Sequence, residues 1–421
     1  MLIAIFTTII VTLIITILAF NLKSPGKRID HTISQLYEIK DHSFKATMGS
    51  LMGPPLLHGN KIQSLENGNQ IFPAMIEAIQ KAKKSITFET FIYWTGKIGT
   101  QFSEALIERS QEGVEVQILL DWVGTKNLEA KLLESMKASG IRIERYRPVR
   151  WYTLMRLNNR THRKLLIIDG LTGFTGGVGI ADQWLGKAQS PDHWRDSHFR
   201  IEGPVVAQLQ AAFMDNWNAS DAKLLHGQNY FPEIPSAGEV EAQVFRSSPE
   251  EGSGSVRLMY ALSVSLARKS IYIASAYFVP DAHVRRLLIE SAQRGVSIEI
   301  IVPGNKIDAP LARRASRASW GKLLEAGIKI YEFQPTMFHC KYMIVDDIWV
   351  SVGSTNFDNR SFRLNDECNL NIRDEQFARS RRKVFDDDRS KSRRVTLEEW
   401  RNRPFFTKLV EKIASVFSSQ A

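Results

Sequence analysis

A chain of 421 residues with 43% hydrophobic content carries ample material for a buried core and suits two domains of ordinary size, which excludes a disordered or low-complexity protein. Its formal net charge of +10 favours an anionic partner, whether nucleic acid, an anionic bilayer or a phosphate-bearing substrate, without choosing among them. The two cysteines, Cys340 and Cys368, give no disulfide framework and no zinc-type spacing, and each reads as a small buried filler in a strand-like run.

Residues 1–22 form the first predicted element. Leu2 to Phe20 is free of charge, and at helical rise it spans roughly 30 Å, the thickness of a hydrocarbon core. No basic stretch precedes it and no clear small-x-small site follows, so it reads as a transmembrane anchor rather than a cleaved signal peptide. Lys23, Lys27 and Arg28 all follow the apolar run, which predicts an outside N-terminus and a cytoplasmic body. Residues 23–59, with the breaker cluster Gly53-Pro54-Pro55, read as a linker.

A first half follows over residues 60–225, with strands predicted at Ile86–Tyr93, Val114–Leu120, Ile141–Tyr146, Leu165–Asp169 and Ser197–Ile201, and helices such as Phe72–Lys83 and Gln101–Gln111 between them. Residues 226–239, rich in Pro, Gly and Asn, read as a connection. The second half, 240–375, has predicted strands at Ile271–Tyr277, Ser297–Val302, Ile328–Phe333, Tyr342–Asp346 and Asn369–Ile372. Beyond it, residues 376–421 are highly charged, with Arg381-Arg382-Lys383, Asp386-Asp387-Asp388 and Arg393-Arg394 reading as a solvated helical face. Phe405, Leu409, Ile413 and Phe417 recur every four residues beside Lys408 and Lys412, a pattern that fits either an interfacial helix on anionic lipid or a helix docked on the body.

The pattern H-x-K-x-x-x-x-D occurs twice, as His162, Lys164 and Asp169 in HRKLLIID and as His339, Lys341 and Asp346 in HCKYMIVD. In a strand, alternation puts His and Lys on one face and sends Arg163 or Cys340 to the other. Each Asp lies an odd number of residues beyond its Lys and should face away, in a role that is as readily structural as catalytic. The surroundings repeat as well. Lys84-Ser85-Ile86 returns as Lys269-Ser270-Ile271, Gly113 as Gly295, and Gly140-Ile141 as Gly327-Ile328, at offsets between 182 and 187 residues. Two homologous halves of alternating strands and helices imply an α/β fold with a reactive cleft where the halves meet.

On these motifs and on the stretches RLNNRTHRKLLIIDG, WRDSHFRIEGPVV and GSTNFDNRSFRLNDECNL, the chain resembles the phospholipase D superfamily, and within it the bacterial cardiolipin synthase-like branch, over roughly residues 60 to 375. The resemblance implies two phospholipase D-like α/β sandwich halves packed about a pseudo-twofold axis behind the anchor. It implies His162, Lys164, Asp169, His339, Lys341 and Asp346 as catalytic residues, and Asp196 and Glu367 as carboxylates that orient the histidine of their own half. It also implies Ser354 and Asn356 as phosphate ligands from the sequence Gly353-Ser354-Thr355-Asn356. The first half departs from that pattern, with Gly176, Gly177, Val178 and Gly179 in the equivalent places.

A phosphodiester is already anionic, so cations must neutralise its oxygens before a nucleophile approaches, and Lys164, Lys341, Ser354 and Asn356 can do this without a metal or other cofactor. One neutral imidazole attacks phosphorus while the other, protonated, serves the departing alkoxide, and the roles reverse in the second step. By analogy with the family, His162 is the expected nucleophile and His339 the acid and base. Arg145, Arg147, Arg150, Trp151, Tyr152, Arg156, Arg160 and Arg163 form a basic and aromatic stretch that suits nucleic acid on a soluble protein and an anionic headgroup beside a membrane anchor. Arg313, Arg314 and Arg317 either extend that surface or form a solvated helix face. The leading expectation is a membrane-bound phosphatidyltransferase making cardiolipin from phosphatidylglycerol, with an anionic phospholipid and the bilayer as partners. A hydrolase releasing phosphatidic acid, a nuclease and a non-catalytic lipid binder are the alternatives.

Overall fold

The computed structural model describes residues 5–13, 16, 33–148, 158–220, 222–248 and 255–416. Most of the predicted anchor, the basic residues just after it, Arg150 to Arg156 of the basic stretch, and Phe417 lie outside the described residues. Among the described residues no helix is long and apolar enough to cross a membrane.

Seven strands come from the first half: β1 (Leu57–Glu66), β2 (Ser85–Thr90), β3 (Glu115–Asp121), β4 (Arg142–Tyr146), β5 (Leu165–Ile168), β6 (Thr172–Gly176) and β7 (Ser197–Glu202). Ten follow: β8 (Val240–Ser247), β9 (Ser270–Ser275), β10 (Phe278–Val279), β11 (Ser297–Pro303), β12 (Lys329–Phe333), β13 (Lys341–Val345), β14 (Trp349–Gly353), β15 (Phe357–Asp358), β16 (Glu367–Arg373) and β17 (Ser392–Val395). Fifteen of them form one mixed sheet, and β10 pairs separately with β15. From the central contact of β1 with β8, the order outward is β1-β7-β6-β5-β2-β3-β4 on one side and β8-β16-β14-β13-β9-β11-β12 on the other, with β17 added at the second edge. Corresponding strands therefore occupy corresponding places.

Both faces of each half-sheet are covered, which explains uninterrupted apolar runs such as LLII in β5. Leu165 and Ile167 enter a central core, whereas Leu166 and Ile168 enter a core confined to the first half. Likewise Ile301 faces the centre while Ile300 and Val302 face the second half's own core. The central core also takes Leu209, Phe213 and Trp217 of helix Val206–Trp217, and Phe377, Ala378 and Phe385 of helix Glu375–Ser390.

The structure departs from the sequence expectation in two segments. The segment read as linker contains helix His42–Leu51, which buries Phe44 and Met48 in the second half's core, and strand β1 begins at Leu57. The charged run after the second half is not simply solvated. Arg381 is fully buried against Glu66, and Asp388 pairs with buried Arg195 at 2.8 Å. These ion pairs join the helix after the second half to β1 and the Arg195 segment of the first. A buried charge network and a solvated face have the same composition, so charge density alone could not separate them.

Candidate active site

Each motif histidine sits just before a central strand, His162 ahead of β5 and His339 ahead of β13. The chain entering each motif pairs with the other half: Thr161 bridges Asp366 and Arg195 bridges Phe338, both in parallel. The His162 amide donates to the Asp366 carbonyl at 2.8 Å, and the His339 amide donates to the Arg195 carbonyl at 2.7 Å. Both imidazoles consequently line one cavity of about 300 Å³.

This exchange of backbone bonds decides the carboxylate partners. His162 Nδ1 lies 3.1 Å from both Glu367 oxygens, and His339 Nδ1 lies 2.7 Å from Asp196 Oδ2. Each histidine is thus oriented by the carboxylate of the opposite half, which corrects the expectation of pairing within a half. The reason is geometric: Glu367 directly follows Asp366, and Asp196 directly follows Arg195, the two residues that carry the crossing bonds. With Nδ1–H donated to a carboxylate, each ring turns Nε2 away from that carboxylate; the His339 Nε2 has the Lys341 ammonium 3.2 Å away.

Burial lowers the His162 pKa to about 4, with the Glu367 charge opposing it. His339 is also lowered, first by burial and then by the neighbouring Lys341, while Asp196 opposes. Burial would raise both carboxylates, yet each is held below its ordinary value, Glu367 by His162 and Asp196 by His339. Lys164 is brought down to about 7 by burial and then, after the opposing pull of Glu367, by Lys341; Lys341 is likewise lowered by burial. Lys164 lines the cavity and donates to the His162 carbonyl at 2.7 Å. Lys341 does not line it. It sits behind His339, donating to that residue's carbonyl at 2.6 Å, with its ammonium 3.2 Å from the ring Nε2.

Asn356 lines the cavity, and its buried Oδ1 has no hydrogen-bond partner. Ser354 is placed otherwise than expected. Its hydroxyl donates to Glu367 Oε2, so it braces the carboxylate of His162 rather than meeting a phosphate directly. The corresponding position, Gly177, has no room for a side chain, because a Cβ there would lie 2.2 Å from Asp196 Oδ1. Its place as donor is taken by Trp184, whose indole Nε1 donates to Asp196 Oδ2 at 3.0 Å. Trp184 also packs edge-on to the His339 ring at 5.4 Å, and Trp194 lies 5.2 Å from the same ring. Neither tryptophan was singled out in the sequence, where nothing but the gap left by Gly177 pointed to a substitute donor.

The motif aspartates do not line the cavity, as their odd offset from Lys164 and Lys341 predicts. Asp169 accepts hydrogen bonds from the amides of Lys83, Lys84 and Ser85, and Asp346 from those of Arg268, Lys269 and Ser270. Both adopt a positive φ of 54° at the turn ending the motif strand. In each half the Asp therefore pins the start of the antiparallel strand beside the motif strand, β2 or β9.

The basic stretch divides. Arg160 lines the cavity, joined there by Arg360 from the second half, but Arg163 is buried, bonded to Asp215 and to the carbonyls of Ala212 and Glu367. Arg313 and Arg317 are tied to Glu332 at 2.6 Å. The remaining wall is largely apolar or aromatic, including Phe91, Ile92, Ala309 and Ala312. Among the described residues no cluster of His, Cys, Asp and Glu could hold a metal ion. A cavity with two carboxylate-oriented imidazoles, a lysine, arginines and a greasy wall can bind a phosphodiester bearing an apolar group, and can pass it through attack at phosphorus.

Comparison with known proteins gives the same reading. Residues 75–217 and 263–389 match the family model described as cardiolipin synthase, PLD-like domain. The chain is 35% identical over 362 residues to cardiolipin synthase 2 of Staphylococcus epidermidis, covering 85% of this chain and 74% of that one. It is 34% identical over 362 residues to the major cardiolipin synthase of Bacillus subtilis, covering 85% and 75% respectively. In the solved structures, a phosphatidylserine synthase from Haemophilus influenzae superposes with a TM-score of 0.69 at 14% identity, covering 90% of this chain and 100% of that one, a likeness of fold alone. Sequence and fold together make this chain a member of the cardiolipin synthase-like family of phospholipase D domains.

Proposed function

We propose that this protein is a phosphatidyltransferase that makes cardiolipin from two molecules of phosphatidylglycerol through a phosphohistidine. The observation that carries the reading is the convergence of two carboxylate-bonded imidazoles from opposite halves on one cavity that also holds Lys164 and the unpartnered Asn356 oxygen beside apolar walls. The named relatives are cardiolipin synthases.

In the first step His162 Nε2, kept unprotonated by its depressed pKa, attacks phosphorus of phosphatidylglycerol. The bond from phosphorus to the terminal glycerol oxygen breaks, and that oxygen takes the proton from His339. An arriving phosphodiester raises the proton affinity of nearby imidazoles and ammoniums, and Asp196 further favours the His339 cation. Glycerol leaves. In the second step His339, now neutral, removes the proton from the glycerol hydroxyl of a second phosphatidylglycerol, whose oxygen displaces His162. Two phosphatidylglycerol molecules have become one cardiolipin and one glycerol, with both histidines restored. Lys164 and Arg160 neutralise the non-bridging oxygens as charge builds. The aromatic walls formed by Phe91, Trp184 and Trp194 favour a lipid acceptor over water, which supports transfer rather than hydrolysis. Leu2 to Phe20 is proposed as a membrane span, with the catalytic body on the cytoplasmic side.

The test is a membrane preparation supplied with labelled phosphatidylglycerol and resolved into cardiolipin, phosphatidic acid and unchanged lipid. Cardiolipin with released glycerol is expected. Phosphatidic acid as the main product would replace transfer by hydrolysis, and unchanged lipid would reject both.

A further inference from the structure

The C-terminal helix, Phe405–Val416, is amphipathic in the wrong sense for a surface exposed only to water. Its charged Glu411 is 2% exposed and turned inward, held by Arg317 at 3.1 Å and Arg403 at 2.9 Å. Beside it Ala414, 1% exposed, packs on Val279 and Ala315. The apolar side is turned out: Phe405 is 73% exposed and Phe406 77%, with Leu409, Val410 and Ile413 also exposed. With Glu411 paired inside, the helix leaves two phenylalanines and three aliphatic side chains in water, which is unfavourable unless the outward face meets an apolar phase.

Three further features narrow the occupant. Lys408 and Lys412 are exposed on the same helix, and Arg314 is exposed on helix Pro310–Ala318, against which the C-terminal helix packs. Helix Pro310–Ala318 also reaches the reaction site, since Ala312 and the preceding Ala309 line the cavity while Leu311 between them is exposed. In the first half the turn after β3, whose Gly124 lies against Phe91 of the cavity wall, exposes Trp122 and Val123. Apolar side chains edged with cations, continuous with the walls of a phosphodiester cavity, match the interface of an anionic bilayer.

We propose that Phe405, Phe406, Leu409, Val410 and Ile413, with Leu311, form a membrane-docking face for anionic phospholipid, and that it turns the catalytic cavity toward the bilayer so that lipid headgroups enter without leaving it. The role in substrate delivery rests on the lipid-transfer reading above; the docking itself does not.

Both native cysteines are buried, so a single introduced cysteine can be labelled in the full-length protein. Nitroxides at Phe406→Cys and Ile413→Cys, with Lys131→Cys as a control, would be compared in vesicles of phosphatidylcholine with and without phosphatidylglycerol. The expected result is that the two helix probes collide with oxygen about tenfold more than with a water-soluble nickel chelate, relative to the control, when phosphatidylglycerol is present. Equal aqueous access at all three sites overturns the proposal, and dipolar broadening between helix probes overturns it in favour of a second copy of the chain. Separately, Phe405→Ser/Phe406→Ser/Ile413→Ser should cut turnover of vesicle-embedded phosphatidylglycerol about tenfold and leave turnover of a water-soluble short-chain phosphatidylglycerol unchanged. Equal turnover of embedded lipid by variant and wild type removes the delivery role. A wild type inactive on both substrates rejects the transferase reading, while the nitroxide result still decides docking.

Discussion

The two halves reach the same arrangement at their histidines with different parts. In the second half Ser354 braces Glu367, the partner of His162; in the first, the place of that serine is Gly177, and Trp184 braces Asp196, the partner of His339. A glutamate reaching for its imidazole leaves space for a serine behind it, whereas the shorter aspartate draws its carboxylate into the space the serine would fill. The indole of Trp184 supplies the donor to Oδ2 instead. What looked like a lost phosphate ligand is a substituted donor, and the asymmetry lies in the support of the carboxylates rather than in their presence. Asymmetry in the cavity lining rests on Asn356, whose counterpart Gly179 has Ile92 where a side chain would go.

Removal of either histidine should be the most damaging change. His162→Ala and His339→Ala are each expected to cost at least about a thousandfold in kcat, measured as cardiolipin formed from labelled phosphatidylglycerol. If the halves divide the work as proposed, His339→Ala retains the ability to form a labelled protein adduct from a substrate with a good leaving group, and His162→Ala does not. Restoring symmetry should come next. Gly177→Ser would press a side chain onto Asp196, and a displaced partner for His339 predicts a loss of about a hundredfold; wild-type turnover by that variant would break the comparison.

Removing the braces is milder. Trp184→Phe and Ser354→Ala each delete one hydrogen bond to an ionised carboxylate, so each should lower kcat about tenfold with little change in KM. The acid limb of the pH profile should also move, because a carboxylate that loses a donor gains proton affinity. Asp169→Ala and Asp346→Ala probe a likeness instead. Each frees three backbone amides and should destabilise its half by about 2 kcal/mol, seen as a lower Tm, with turnover per folded molecule preserved.

The smallest effect is a shift with pH. In the free enzyme Lys164 loses its proton as pH rises through about 7, so kcat/KM should decline above neutrality, and Lys164→Arg should carry that decline upward. His162 is depressed to about 4 from 6.5, so between those values the unfolded chain binds more protons than the folded one. Stability contributed by the neutral imidazole is therefore complete above pH 6.5 and lost as pH falls toward 4, and His162→Gln should flatten the denaturation midpoint across that window.

Much of this was legible because alternation and repetition are local properties. The strands carrying His162 and His339, the face shared by His and Lys, and the outward turn of Asp169 and Asp346 follow from a period of two. Strands β1, β6, β8 and β14 carried no comparable landmark, and β1 lay partly in a segment whose prolines read as a break. Pairing of Glu367 with His162 depends on which chain crosses which at the interface, and no spacing within either half records that. Arg381 and Asp388 were misread for a related reason, since their partners Glu66 and Arg195 lie far away in sequence.

The crossed partnership of histidines and carboxylates has a consequence for biogenesis. A nascent chain that has emerged only as far as Leu225 possesses His162 but lacks Glu367, and possesses Asp196 with nothing to hold. Both histidine-carboxylate pairs are complete only in a chain that runs from His162 through Glu367. If both pairs are needed for reaction, the site is assembled only after Glu367 has been made, late in synthesis.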